Sequence, residues 1–215
     1  MRNAAVIFTC PKHLEAAKIA AQAAERWFDV WLAFDGKDGI TSVAGQRVLV
    51  TTFARGGNLT SYEAPLGVLR VLDSVCPEGG RVVKIDSDTV IRDPSFLMQG
   101  DVCGFQHMAI PMAAYGCCYA LSKAAVKAAI DEITTTEHRG CKCPIEDIVV
   151  TSCARSAPNC VANILPSARL AVWHDTLAPA PFGVVANFGN NRVNGDWCHP
   201  YVLEQMRKFA SLGVD

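Results

Sequence analysis

The sequence predicts an α/β fold in which a mostly parallel central sheet carries helices on both faces. Short apolar runs alternate with segments whose apolar residues recur every three or four positions, which is the pattern of βαβ units. The chain has 215 residues, 50% hydrophobic and 19% charged, which is enough to build one well-packed core. No internal repeat or linker divides it, so we expect a single domain over residues 1–215.

The first half of the chain alternates strand and helix. Four apolar runs are expected to form strands, at 4–9, 29–36, 46–53 and from 81 onward. Two segments with helical spacing of their apolar residues separate them, at 11–28 and within 54–75. In the second segment, Thr60 and Glu63 have the spacing of a capping box, which predicts where that helix begins.

The second half is less regular. Three further strands are expected, at 101–110, 112–122 and 168–175. Three further helices are expected to begin near Ser122, at Pro144 and at His199. The stretch between the last strand and the last helix is rich in Pro, Gly and Asn, which is typical of a loop.

Composition excludes several classes of partner. The net charge is −1 and no Lys/Arg run stands out, so no nucleic-acid partner is expected. No apolar stretch approaches the ~20 residues of a transmembrane helix, and Pro11 and Lys12 interrupt the N-terminal apolar run before it resembles a secretory signal. We therefore expect a cytoplasmic protein, and the sequence leaves its oligomeric state open.

Ten cysteines are unusual for a chain of this type. Many stand among apolar neighbours, where reduced cysteine behaves as a small hydrophobic residue. A cluster of His and Cys lies between 138 and 160, with members His138, Cys141, Cys143, Cys153 and Cys160. Its spacing matches no established zinc pattern, so whether it binds a metal is left open.

The segment "RVVKIDSDTVIRDP" places Asp86 and Asp88 at the end of an apolar strand. Carboxylates buried there are costly unless a cation balances them. Since residues i and i+2 of a strand share a side, both are expected to point one way and Ser87 the other. Two hard oxygen donors suit Mg²⁺ or Mn²⁺. The alternative is that they form salt bridges with Lys84 or Arg92.

Other polar residues are expected at the same edge of the sheet. Ligands of open α/β sheets bind beyond the carboxyl ends of the strands. Thr9 ends the first strand and Asp35 ends the second, so both should lie near the two aspartates. A late polar stretch adds candidates that either bind diphosphate or acceptor or simply form turns, namely Asn187, Asn190, Asn191 and Arg192.

These motifs together resemble a known enzyme family. "VVKIDSDTVI" and the upstream "VWLAFDG" resemble the DxD region of GT-A fold, nucleotide-sugar-dependent glycosyltransferases. Three later segments resemble segments of galactosyltransferase-like members and occur in the same order. They are "YGCCYALSKAAVKAAI", "PIEDIVVTSCA" and "LAVWHD". The resemblance implies a Rossmann-like sheet with a small second sheet. It also implies a nucleotide-binding half at about 1–93 and an acceptor-binding half at about 94–215.

The resemblance also implies roles for individual residues. Metal ligands would be Asp86, Asp88 and His174, with His199 as the substitute for His174 because "TLAPAPFG" departs from the family's usual tail. Asp147 would be the general base if the enzyme inverts, and Glu146 would position the acceptor. The alternative is that both are first-turn carboxylates of the helix after Pro144, favoured there by the helix dipole. The donor and its metal would be contacted by Thr9, Asp35, Lys84, Asp86, Ser87 and Asp88. Glycines usually stand where this chain has Cys117 and Cys118.

The expected function is therefore metal-dependent transfer of a sugar from a nucleotide sugar, most simply a UDP-sugar, to an acceptor hydroxyl. The first alternative is a haloacid-dehalogenase-type phosphatase, with Asp86 as nucleophile and Asp88 as general acid/base. The second is a non-catalytic glycan- or nucleotide-binding protein of the same fold. A sugar nucleotidyltransferase is disfavoured because "TCPKH" supplies no Gly-rich loop. The sugar, the acceptor and the anomeric outcome stay open.

Overall fold

The computed structural model describes residues 2–53, 62–106, 113–135, 145–166, 171–172, 185–188 and 198–211. The strands in these ranges are β1 Ala4–Phe8, β2 Asp29–Asp35, β3 Arg47–Thr51, β4 Arg81–Asp86, β5 Thr89–Ile91, β6 Val102–Gln106, β7 Ala114–Ser122, β8 Ala162–Leu165, β9 Ala171–Val172 and β10 Val185–Asn187. The α-helices are α1 Leu14–Ala24, α2 Glu63–Val75, α3 Lys123–Thr135, α4 Glu146–Ala154 and α5 Pro200–Ser211.

Seven strands form the central sheet, in the order β3-β2-β1-β4-β7-β6-β8. Strand β7 is antiparallel to both of its neighbours, and the other pairings are parallel. The carboxyl ends of β1, β2, β3 and β4 therefore share one edge of the sheet. In the register, Phe8 lies beside Ala33 on one side and beside Asp86 on the other.

Helices cover both faces of this sheet, as the sequence predicts. Strand β1 is buried along its whole length, since a strand covered on both faces is apolar throughout. The alanine-rich face of α1 packs on one side of the sheet, in a cluster with Ile7, Leu32 and Ile85. Helices α2, α3 and α4 pack on the other side, in a cluster with Val6 and Phe8.

A small second sheet of three strands has the order β5-β10-β9. Strand β10 pairs antiparallel with β5 and parallel with β9. Helix α5 packs against α1 and this sheet, in an apolar cluster that contains Val90, Ala186, Phe188 and Met206. The second sheet thereby joins the residues after β4 to the late part of the chain, and the expected fold class is confirmed.

Several elements differ from the prediction in extent. The strand expected at 101–110 is β6, which ends at Gln106, and residues 107–112 lie outside the described ranges. Strands β8 and β10 are not among the predicted elements. Thr60 of the proposed capping box is outside the described residues, and the N-cap residue of α2 is Tyr62, which makes no side-chain cap hydrogen bond.

Eight cysteines lie in the described part of the chain, and all eight are free thiols. Five of them are buried, at positions Cys76, Cys103, Cys117, Cys118 and Cys153. This agrees with the expected role of cysteine as a small core residue. Three members of the proposed zinc cluster, His138, Cys141 and Cys143, are outside the described ranges, so that question stays open. Among the described helices, none is both long and apolar enough to cross a membrane.

Candidate active site

The predicted rim residues lie at one edge of the sheet. The backbone N–H of Thr9 donates to the carbonyl of Ala33 at 3.0 Å, which places the end of β1 beside the end of β2. Asp35 ends β2, and its Oδ1 accepts the backbone N–H of Lys37 at 3.0 Å. Asp86 ends β4 and is in register with Phe8 of β1. Thr9, Asp35 and Asp86 are thus neighbours at the ends of adjacent strands, as the sequence predicts.

The two aspartates stand in different local structures. Strand β4 ends at Asp86, and residues 87–88 form a turn before β5, so the alternation expected of a strand does not extend to Asp88. The Asp86 Oδ1 accepts a hydrogen bond from Lys84 Nζ at 2.6 Å. The salt bridge considered as the alternative is therefore present at Asp86, whose side chain keeps 33% of its surface exposed.

Asp88 is buried, with 4% of its surface exposed. Its Oδ1 accepts a hydrogen bond from Asn187 Nδ2 at 3.0 Å, and its carbonyl accepts the N–H of Phe188 at 2.8 Å. Burial, and secondly the charge of Asp86, raise the pKa of the Asp88 carboxyl to about 7. The ionised form of Asp88 is thus disfavoured by its surroundings, which is the situation that a bound cation relieves.

This donor set fits a hard divalent cation. Asp86 and Asp88 are close enough to repel each other electrostatically, and each offers carboxylate oxygens. Within the described ranges, no group of three His, Cys, Asp or Glu side chains is placed to hold a metal ion. The remaining coordination would then come from water, from phosphate oxygens, or from a residue outside those ranges.

The expected third ligand, His174, is outside the described residues, and so are Asn190, Asn191 and Arg192 of the late polar stretch. The substitute for His174 is His199, which lies just before α5. The His199 Nδ1 accepts the backbone N–H of Tyr201 at 3.3 Å, which is a contact of a helix start. His199 therefore has a structural contact of its own, and the assignment of His174 stays a prediction.

The pair expected on the acceptor side, Glu146 and Asp147, occupies the first turn of α4, as predicted. Glu146 Oε1 accepts the hydroxyl of Tyr119, from β7, at 2.9 Å. Asp147 is 9% exposed, and a Cβ added to Gly116 would lie 2.8 Å from its Oδ2. Only a residue without a side chain leaves room there, so Gly116 lets the carboxylate approach the first residues of β7.

A second anchor holds α4 on β7. The Thr151 hydroxyl donates to the Asp147 carbonyl at 2.7 Å and accepts the backbone N–H of Ala114 at 3.0 Å. Thr151 is fully buried and links one turn of α4 to the first residue of β7. Consequently the acceptor-side pair is fixed to the same sheet that carries the aspartates.

A groove of about 590 Å³ opens beyond the ends of β2 and β3, beside α2. Lys37 and Arg70 bring positive charge to it and Glu63 a negative charge, while Thr51 and Phe53 line it from the end of β3. A Cβ on Gly67 would lie 2.3 Å from the Phe53 ring, so that ring packs directly on the helix. The groove lies on the side of the rim towards Asp35 rather than beside the two aspartates.

Three contributors to this region are not recognisable as site residues from the sequence. In the sequence, Tyr119 looks like one more apolar residue of a strand, and Gly116 is one of several small residues nearby. Thr151 stands in the middle of a helix and carries no motif. Only contacts between segments distant in sequence reveal them. Asn187 is a candidate from its polar stretch, and the structure places it on Asp88.

Comparison with protein-family models finds no match, and no curated protein matches the sequence. Solved structures do match the fold. One is 2-C-methyl-D-erythritol 4-phosphate cytidylyltransferase from Thermus thermophilus, with TM-score 0.51 and 10% identity, covering 99% of this chain and 100% of that one. Another is a glycosyltransferase involved in the glycosylation of the major capsid of PBCV-1, with TM-score 0.50 and 13% identity, covering 96% of this chain and 99% of that one.

Identities this low show the fold alone. The chain shares the GT-A-like α/β fold of these two transferases over nearly its whole length, which confirms the fold class predicted from the sequence. One neighbour is a cytidylyltransferase by name and the other a glycosyltransferase, so the fold by itself does not choose between the two reactions.

Proposed function

We propose that the protein is a metal-dependent glycosyltransferase that moves a sugar from a nucleotide sugar, most simply a UDP-sugar, to an acceptor hydroxyl. One observation carries the proposal. The carboxylates of Asp86 and Asp88, one of them deeply buried, lie at the end of β4, while the Asp147 carboxylate packs on Gly116 near the beginning of the adjacent, antiparallel β7. A candidate cation site at the end of β4 thus lies near a candidate base on α4, which packs against the neighbouring strand β7.

On the donor side, Asp86 and Asp88 would hold Mg²⁺ or Mn²⁺, with His174 as the expected third protein ligand. Such an ion supplies charge neutralisation for the departing nucleoside diphosphate. Thr9 and Asp35 lie at the adjoining strand ends, where the nucleoside is expected. The groove with Lys37, Arg70 and Glu63 offers further room and a net positive charge on that side.

On the acceptor side, Asp147 would take the proton of the acceptor hydroxyl as its oxygen forms a bond to the anomeric carbon. The bond between that carbon and the diphosphate oxygen breaks, and the electron pair leaves with the nucleoside diphosphate. A carboxylate serves this role when it reaches the hydroxyl by a hydrogen bond in a partly dry site. Glu146 would position the acceptor, since Tyr119 holds it in place.

A thermal-shift screen tests the proposal. UDP is expected to raise Tm when Mn²⁺ is present and to have little effect without it, because ligands that bind only the folded state stabilise it. Asp88→Ala is expected to abolish the Mn²⁺-dependent shift. Asp131→Ala, at an exposed carboxylate on α3, is the matched control and should respond as the unmodified protein does. An unchanged response in Asp88→Ala would refute the ligand assignment.

The same screen separates the alternatives. Turnover of p-nitrophenyl phosphate that is lost in Asp86→Asn would instead establish the phosphatase. Stabilisation by a nucleoside triphosphate, with release of pyrophosphate in the presence of a sugar phosphate, would establish a nucleotidyltransferase, which the fold also supports. If nucleotides stabilise the protein but no transfer is found with any donor, the non-catalytic binding protein is favoured.

A further inference from the structure

We infer that Lys84 is a positioning residue that holds the donor-side Asp86 and the acceptor-side Asp147 in one arrangement, through the backbone of Gly116. The inference rests on the proposed function for its catalytic meaning. It adds to that function a physical link between the two halves of the site. No sequence motif indicates this link, because its members come from β4, β7 and α4.

The first step is the environment of the lysine. Lys84 lies inside β4 and its side chain is only 2% exposed. A buried ammonium group is costly unless its N–H donors are satisfied and its charge is balanced. The Lys84 Nζ donates to Asp86 Oδ1 at 2.6 Å and also to the carbonyl of Gly116. It also lies 5.7 Å from the centre of the Tyr119 ring, within the range of a cation–π contact.

The second step runs from Gly116 to the candidate base. An ideal Cβ on Gly116 would lie 2.8 Å from Asp147 Oδ2, 3.1 Å from its Cγ and 3.2 Å from its Cβ. The Asp147 side chain therefore rests directly on the residue whose carbonyl Lys84 holds. A displacement of that carbonyl moves the surface against which the carboxylate packs, since packed interiors transmit such shifts.

The third step is a parallel contact through Tyr119. The ring that lies near Lys84 carries the hydroxyl that donates to Glu146 at 2.9 Å. Lys84 is thus linked to both residues of the acceptor-side pair, to Asp147 through Gly116 and to Glu146 through Tyr119.

A matched control exists in the same chain. Lys123 begins α3, is 12% exposed on its side chain and pairs with Asp73 at 2.8 Å. Its backbone N–H donates to the carbonyl of Gly80, just before β4. Lys123 is therefore a mostly buried, ion-paired lysine at the opposite end of β4 from the candidate site. Its removal costs an ion pair without touching the proposed link.

Hydrogen exchange tests the link without any substrate. Lys84→Met is expected to raise amide exchange about tenfold at residues 116–118 and at 146–149, because opening free energies set exchange rates. Lys123→Met should leave both segments unchanged. The inference is overturned if exchange in Lys84→Met rises only within β4. If Lys84→Met does not fold, Lys84→Gln, which retains N–H donors but no charge, is judged by the same criterion.

Kinetics tests the positioning role. In Lys84→Met at saturating Mn²⁺ we expect kcat to fall at least about tenfold, by more than any change in the donor KM, as for an interaction expressed in the transition state. A lysine that only stabilises the fold would leave kcat unchanged well below Tm, and that result overturns the role. The nucleotide response of the unmodified protein is measured separately, so its absence refutes the proposed function while hydrogen exchange still decides the link.

Discussion

At the Asp88 side chain, burial and the nearby charge of Asp86 both oppose ionisation and raise the pKa to about 7. In the unfolded chain the same carboxyl titrates near its ordinary value of about 3.9. Between these two values the folded state binds more protons than the unfolded state. The free energy of unfolding of the metal-free protein should therefore fall as the pH rises from about 4 to 7, and then level off.

The first prediction follows from this fall in the free energy of unfolding with rising pH. In EDTA at pH 8, Asp88→Asn is expected to be more stable than the unmodified protein, by on the order of 2 kcal/mol, because the buried charge is gone. At about pH 4 the difference should nearly vanish, because the carboxyl is then largely protonated in the folded state and half protonated in the unfolded state. Urea denaturation at the two pH values measures the difference in the free energy of unfolding between Asp88→Asn and the unmodified protein. An advantage of equal size at both values would contradict the assignment of the effect to ionisation.

Asp101 supplies a control of opposite sign. The backbone N–H of Val161 donates to its carboxylate, and this hydrogen bond, as the largest cause, lowers the pKa of Asp101. Its contribution to stability is present at neutral pH and is lost as the pH falls through the lowered value. Asp101→Asn should therefore be less stable than the unmodified protein at neutral pH, and this deficit should shrink as the pH falls. Asp88→Asn, by contrast, should be more stable than the unmodified protein at high pH.

The second prediction concerns Asp147. If it is the general base, Asp147→Asn should lower kcat by about 10²–10⁴-fold, which is the usual contribution of such a group. The Mn²⁺-dependent stabilisation by UDP should persist, since the proposed role places Asp147 on the acceptor side. Single-turnover rates and thermal shifts measure the two effects. Loss of nucleotide binding with the activity would place Asp147 on the donor side instead.

The elements β7 and α4 meet at a contact that admits no side chain. We expect Gly116→Ala to destabilise the protein by about 1–3 kcal/mol, as overpacked sites do, because the new methyl group would overlap the Asp147 carboxylate. Activity should fall as that carboxylate is displaced. Chemical denaturation gives the cost, and the double variant Gly116→Ala/Asp147→Ala should cost less than the sum of the single variants. Strict additivity would show that the two residues do not touch.

The same elements show what the sequence can predict. Strands β1, β2 and β4 are strongly apolar runs flanked by helical patterns, so periodicity alone locates them closely. The carboxylates of Asp86, Glu146 and Asp147 can be placed because strand ends and helix starts have recognisable chemistry. Helix α2 ends at Val75, as its apolar stripe indicates.

Other elements have no local signal. Strand β10 is three residues long and lies in a stretch rich in Pro, Gly and Asn, which favours a loop until pairing with β5 is known. Strand β8 has four half-exposed or exposed residues and depends on its partner β6. The contact of Asn187 with Asp88 and the contacts of Lys84 with β7 are likewise tertiary, so only the folded chain reveals them.

Over the whole molecule, α5 and the small sheet seal the side of the fold that carries Asp88. Met206 of α5 is fully buried beside Val90 and Phe188. Met206→Ala is expected to cost about 2–5 kcal/mol, the usual cost of emptying a core position. Val161→Ala, at a side chain that is 57% exposed, is the control and should change stability by less than about 0.5 kcal/mol. Urea unfolding measures both, and equal effects would show that α5 is only loosely packed.

The division into a nucleotide-binding half at 1–93 and an acceptor-binding half at 94–215 stays a prediction. Two features of the structure join these halves. Asp88 belongs to the first half by sequence, but its hydrogen-bond partner Asn187 belongs to the second. Strand β7, also of the second half, is inserted between β4 and β6 in the same sheet.

The pairing of Asp88 with Asn187 has a consequence for biosynthesis. Ninety-nine residues separate the two, so a ribosome adding roughly 5–20 residues per second needs several seconds to make the second after the first. During that interval the nascent chain carries the two aspartates without β10 beside them. If Asp86 and Asp88 hold a divalent cation as proposed, we expect the growing chain to bind it only weakly until β10 has joined β5. Tight cation binding would then begin only once β10 has paired with β5.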